Sequence, residues 1–115
     1  MESAPVRMTV KWRVPAGEAQ SITAALQELM QHTRAAQGCA GCSFSTDMDA
    51  LVVIRYLETW RSELDLRRQL RSDRFAVLAE LIERATERPV IEFTLPGGPR
   101  GIEYAEEARR SDEVH

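Results

Sequence analysis

Leu51–Phe75, LVVIRYLETWRSELDLRRQLRSDRF, decides how the rest of the chain folds. It opens as a strand, turns at Glu58-Thr59-Trp60, and continues as a charged helical segment into Ser72-Asp73-Arg74-Phe75. Leu51, Val53 and Leu57 occupy odd positions, Val52, Ile54 and Tyr56 even ones, and Arg55 alone interrupts them. Successive strand residues face opposite sides, so apolar residues on both parities describe a strand covered on both faces. A short chain covers one face with its own helices. The other needs a partner, and the stretch therefore predicts a homodimer. Covering a few hundred Å² of apolar sheet contributes several kcal/mol, at about 25 cal/mol per Å².

Upstream, Asp47-Met48-Asp49-Ala50 reads as a hairpin turn from a short strand at Ser43–Thr46. Before that comes Gly38-Cys39-Ala40-Gly41-Cys42, with Gly38 at a helix end that favours positive φ. The helix itself spans about Glu18–Ala36, on the spacing of Ile22, Ala25, Leu26, Leu29, Met30 and Thr33. Val6–Val14 alternates without a break, Val6, Met8, Val10, Trp12 and Val14 against Arg7, Thr9, Lys11 and Arg13, and reads as a half-buried strand. Downstream, Ser62 and Asp65 form a capping pair, and Leu66 and Leu70 share a helix face. Ser72-Asp73 starts a second helical piece with the stripe Phe75, Leu78, Leu81, Ile82 and Ala85. Pro89 ends it, and Val90–Leu95 is a fourth strand with Ile91, Phe93 and Leu95 on one face. Pro96–Gly101 reads as a linker. Ile102–Arg110 reads as a short helix, expected on the partner subunit.

The order is βαββαβ, an α+β ferredoxin-like fold with helices on one face of a four-stranded antiparallel sheet. Residues 1–96 form the domain and 97–115 a linker with a short C-terminal helix and tail. At 115 residues, 43% hydrophobic and 29% charged, the chain is an ordinary globular domain. A domain of this size buries roughly two-thirds of its unfolded surface without metal or disulfide staples. A net charge of −3 disfavours a nucleic-acid partner. No apolar run approaches the roughly 18 residues of a membrane span, and the N-terminus lacks a signal-peptide pattern. The expected location is cytoplasmic, without nucleic acid or membrane.

Several residues invite chemistry, each beside a plainer reading. Arg55 either points into a polar cavity or pairs across the sheet, with Glu92 as the candidate, and pairing carries more weight. Cys39 and Cys42 form a C-x-x-C that follows a helix rather than opening one, so a redox pair is disfavoured. Zinc is disfavoured because only His32 and His115 remain as further His or Cys ligands. His32 is either a base or a surface residue of the first helix. The arginines between Arg61 and Arg74 interleave with Glu63, Asp65 and Asp73, as on a solvated face.

Glu58-Thr59-Trp60 and Leu70-x-Ser72-x-x-Phe75, in this order of elements, resemble the Glu-x-Trp … His-Leu-x-Ser-x-His-Phe pattern of the antibiotic biosynthesis monooxygenase (ABM) domains. The resemblance covers about residues 5–96. It implies a dimeric α+β barrel and oxidation of a small aromatic or quinol-type substrate by molecular oxygen, without metal or cofactor. That chemistry needs an apolar cavity with polar groups where negative charge develops; in the family it lies between sheet and helices. The chain departs from the pattern at both histidines, which fall at Gln69 and Arg74. Neither is a general base near neutrality, and an axial haem ligand is missing. Gln69 could still hydrogen-bond a substrate oxygen, and Arg74 could stabilise an enolate or phenolate. On this resemblance the catalytic candidates are Gln69, Arg74 and Trp60; Tyr56, Glu58, Phe75 and Phe44 are the substrate-binding ones. Core packing for Trp60 and a salt bridge for Glu58 are the plainer readings. A dimer that binds a small hydrophobic molecule without turnover is the alternative function.

Overall fold

The computed structural model describes residues 5–48 and 51–113. Strand β1 (Val6–Val14) leads into helix α1 (Ala16–Ala35), and the hairpin of β2 (Cys39–Met48) and β3 (Val52–Trp60) follows. Helices α2 (Glu63–Leu70) and α3 (Asp73–Ile82) come next, then β4 (Val90–Leu95), β5 (Gly98–Arg100) and α4 (Glu103–Glu113). The sheet is antiparallel throughout, in the order β2-β3-β1-β4-β5. It is an α+β fold of the expected connectivity, with one strand more than expected.

The alternation of β1 is realised in full: Val6, Met8, Val10, Trp12 and Val14 are buried, and the residues between them are exposed. In register with them on β3 stand Trp60, Glu58, Tyr56, Ile54 and Val52, all buried. Phe93 adds β4 to this inner face. Ile22, Leu26, Leu29, Met30 and Thr33 bring α1 onto it, Leu66, Gln69 and Leu70 bring α2, and Phe75, Leu78, Leu81 and Ile82 bring α3. The odd parity of β3 faces the other way. Val53, Leu57 and Thr59 are half-buried there and Arg55 is exposed, so the chain itself covers only one side of the sheet.

The helix starts follow the serines. Ser62 Oγ accepts from the Asp65 backbone N–H at 3.1 Å, and Ser72 Oγ accepts from Phe75 N–H at 3.3 Å. Each satisfies a donor that a helix start leaves orphaned. Gly38 has φ of 86°, as its place after α1 requires.

Three expectations need correction. Strand β2 begins at Cys39 and runs to Met48, so Asp47 and Met48 belong to the strand; of the expected turn, Asp49 and Ala50 lie outside the described residues. A bulge between Cys39 and Gly41 lets this Gly-rich end pair with Trp60 and Thr59. Arg55 pairs with Asp47, at 3.3 Å, and not with Glu92. Glu92 lies opposite Thr9, on the far side of β1 from Arg55. The expected linker folds back instead: Pro96-Gly97 forms a two-residue turn, and Gly98 pairs with Leu95 to start β5. Helix α4 packs on its own chain, burying Tyr104, Ala105 and Ala108 beside α2 and β4. No helix among the described residues is long and apolar enough to cross a membrane.

Candidate functional site

Beneath the sheet, β3 places a carboxylate where core would be expected. Glu58 is 0% exposed, and Tyr56 and Trp60, two residues before and after it on the same face, are 1% exposed. Alternation makes the three neighbours. The Tyr56 hydroxyl donates to Glu58 Oε2 at 2.6 Å, and the Trp60 indole Nε1–H donates to Oε1 at 2.9 Å. The Gln69 side chain, 2% exposed and delivered by the end of α2, hydrogen-bonds the same carboxylate. Glu58 thus forms hydrogen bonds in place of the expected salt bridge. Burying a carboxylate is costly unless its lone pairs are met, and here three side chains meet them.

The network extends at both ends. Cys42 stands opposite Glu58 on β2, and its thiol donates to the Tyr56 oxygen at 3.2 Å. At the other end Gln69 Oε1 accepts from Arg74 Nε at 2.9 Å. Ser72, the cap of α3, donates to the Gln69 carbonyl at 2.6 Å, which fixes the corner between α2 and α3. A continuous relay therefore runs from Cys42 through Tyr56, Glu58 and Gln69 to Arg74.

Burial sets the electrostatics. It pushes the Glu58 carboxyl above its ordinary value, although the donors from Tyr56, Trp60 and Gln69 and the charge of Arg74 pull it down. Burial and the neighbouring Glu58 raise Tyr56 strongly, which keeps the phenol protonated and donating. Burial also pushes the Cys42 thiol up to about 11, and it raises Cys39. Neither cysteine has the lowered pKa of a reactive thiol.

Arg74 is where the relay meets the surface. It lines a groove of about 370 Å³ between α1 and α3, together with Ala25, Leu29, His32 and Val77, and with Glu28 and Asp73. The recess thus opens between two helices, while Glu58, Tyr56 and Trp60 beneath the sheet are closed off from solvent. The groove sets the Arg74 guanidinium among apolar side chains, with the carboxylates of Glu28 and Asp73 also on its wall.

Of the residues singled out in the sequence, Tyr56, Glu58, Trp60, Gln69 and Arg74 come together. Phe75 is buried on the other side of the corner, under Arg109. Phe44 is half-buried at the edge strand, beside Met30 and Arg34, and does not line the groove of Arg74. Cys42 was not read as part of the network. Its signal was available only as a shared face with Tyr56, once the β2–β3 register is known. Trp12 supplies the contrast with Trp60: it is equally buried, but its indole N–H has no hydrogen-bond partner. Among the described residues no group of three or more His, Cys, Asp or Glu side chains could hold a metal ion.

The antibiotic biosynthesis monooxygenase family profile matches residues 5–81, which hold every member of this relay. The chain belongs to the antibiotic biosynthesis monooxygenase family. Solved structures agree in fold with this ABM chain. A conserved protein from Methanosarcina mazei Go1 superposes with a TM-score of 0.70 at 22% identity, over 79% of this chain and 91% of that one. Rv0793 from Mycobacterium tuberculosis gives 0.66 at 21% identity, over 81% and 95%. A protein described as an antibiotic biosynthesis monooxygenase gives 0.65 at 16% identity, over 76% and 94%. No curated protein matches. At such identities the likeness is one of fold, and the chemistry has to be argued from the ABM chain's own side chains.

Proposed function

We propose that this ABM-family chain is a homodimeric, cofactor-independent monooxygenase that oxidises a small aromatic or quinol-type substrate with molecular oxygen. The observation that carries this reading is the buried relay from Glu58 through Gln69 to Arg74, which ends on an apolar groove. In such a reaction the substrate gives up a proton and becomes an anion. The anion passes electrons to oxygen and forms a C–O bond; the peroxide takes the proton back, and loss of the hydrogen on the attacked carbon with O–O cleavage leaves a carbonyl and water. One oxygen atom ends in the product and the other in water.

Arg74 stabilises the substrate anion in this scheme, because a fixed cation acts most strongly where negative charge develops in a desolvated site. Gln69 and Glu58 hold the guanidinium in place, and Trp60 holds Glu58. The imidazole of His32, on the wall of the same groove, receives the substrate proton. Neither Gln69 nor Arg74 takes over the proton transfer of the histidines they replace.

The dimer forms through the open face of the sheet. Val53 and Leu57 are half-buried there, and Val90, at 62% exposure, is the most exposed apolar side chain on the face. A depression of about 420 Å³ beside Leu57, Thr9 and Ser43 supports the reading of a surface that a second copy covers.

Oxygen uptake by the purified protein, followed across a panel of substituted hydroquinones and naphthols, tests the reaction. Uptake above buffer for at least one member, lost in Arg74→Ala, is the expected result. Calorimetric binding of a naphthol with no uptake across the panel would leave the second reading, a dimer that binds small hydrophobic molecules without turnover. The replacement of both family histidines by Gln69 and Arg74 is what favours that alternative.

A further inference from the structure

Helix α4 lies beyond residues 5–81, the part that matches the family, and it grips the chain at two places. At its start Tyr104 packs on Phe93 with ring centroids 5.0 Å apart and donates to Glu63 Oε2 at 2.7 Å. The guanidinium carbons of Arg67 and Arg100 stand 5.6 and 5.5 Å from the same ring. This grip holds α4 to the first turn of α2 and to β4.

The second grip falls on the candidate site. Arg109 Nη1 donates to the carbonyl of Leu70 at 2.6 Å, and its guanidinium carbon lies 5.9 Å from the centroid of Phe75. Leu70 follows Gln69 in the chain, and Phe75 follows Arg74. Leu70 also ends α2, where carbonyls lack intrahelical donors and the helix dipole favours a cation. The turn's own amides, Arg71 N–H and Ser72 N–H, go to the carbonyls of Arg68 and Gln69, and Arg109 serves that of Leu70. One side chain therefore touches the immediate neighbour of each residue that carries the relay to the groove.

We infer that α4 is a clamp on the α2–α3 corner and that Arg109 is a positioning residue for Gln69 and Arg74, its effect on turnover resting on the function proposed above. Arg109 touches neither the groove nor the relay. It acts by holding the two ends of the corner at one separation, which keeps Gln69 Oε1 within 2.9 Å of Arg74 Nε.

Amide hydrogen exchange on the full chain tests this without requiring that the protein be an enzyme. In Arg109→Ala the amides of residues 71–76 are expected to exchange about tenfold faster, the scale of one lost charge-assisted hydrogen bond, while β1 and β3 keep their rates. Arg109→Lys, which keeps a donor, is expected to restore slow exchange at the corner. Unchanged exchange at residues 71–76 in Arg109→Ala overturns the clamp. So does an acceleration shared equally by β1 and β3, or an Arg109→Lys corner as fast as that of Arg109→Ala. Where the wild-type chain consumes oxygen, kcat is expected to fall in Arg109→Ala and to return in Arg109→Lys. A wild-type chain that consumes none removes the reaction, and the exchange result still decides the clamp.

Discussion

Glu58 sits at the centre of the buried relay, and its buried state makes a pH prediction. Its carboxyl pKa is raised in the folded chain, so the folded state holds that proton more tightly than the unfolded state does. The stability this contributes is fully present below the ordinary carboxyl range and is lost as pH climbs through the raised value. Glu58→Gln removes the titration. Melting midpoints between about pH 4 and pH 8 are expected to fall for the wild type relative to Glu58→Gln as pH rises. A pH-independent difference between the two proteins would contradict a raised Glu58. At the groove end, Arg74→Ala is expected to cut oxygen uptake about 100-fold or more while leaving the fold intact, the range found when one charge-stabilising donor is removed. The turn expected at Glu58-Thr59-Trp60 does not form: β3 runs on through Trp60, and its alternation sets Glu58 and Trp60 on one face. Parity showed the neighbourhood, but not that Glu58 would be wholly buried, because burial depends on which helix covers the strand. Cys42 was harder to find, since its partner Tyr56 lies on another strand and a bulge intervenes before the register settles.

Among the elements, the corner between α2 and α3 leans on one serine. Ser72 caps α3 and also holds the Gln69 carbonyl. Ser72→Ala is expected to cost about 1 kcal/mol by chemical denaturation, the usual value of a helix cap, and more if the corner opens. Gly38 joins α1 to β2 with φ of 86°, and a Cβ there would run into the Asp65 side chain that caps α2 with Ser62. Gly38→Ala is therefore expected to lose about 2 kcal/mol or more, from a left-handed backbone and a clash together. Both serine caps and the Gly38 φ were legible, because caps are set by local chemistry. Strand β2 was read too short, since an edge strand of Cys, Ala, Gly and Ser carries little apolar alternation. Strand β5 is only Gly98–Arg100 and was hidden within a proline- and glycine-rich stretch. The grip of Arg109 on Leu70 spans 39 positions, and no local pattern announces it.

For the molecule as a whole, the proposed pairing of two sheets places Leu57 near the middle of the shared surface. Leu57→Lys is expected to shift sedimentation at micromolar concentration to a single folded chain, with unchanged far-ultraviolet dichroism. A wild-type chain that already sediments singly would remove the dimer and leave the relay within one subunit untouched. The overall architecture was legible because β1 alternates without exception and α1 repeats at helical spacing. The face on which α4 packs was not, because its apolar residues fit an internal neighbour as well as an external one. The relay also gives the protein a means of reporting on itself. Cys42 donates to Tyr56, Tyr56 and Trp60 both donate to Glu58, and Arg74 holds the far end of Gln69. A negatively charged guest that draws the guanidinium outward loosens Gln69, and the carboxylate then leans harder on its remaining donors. The indole of Trp60 is expected to register that change as a shift in emission, measured in Trp12→Phe to leave Trp60 as the sole tryptophan; an unmoved spectrum on binding would contradict the coupling.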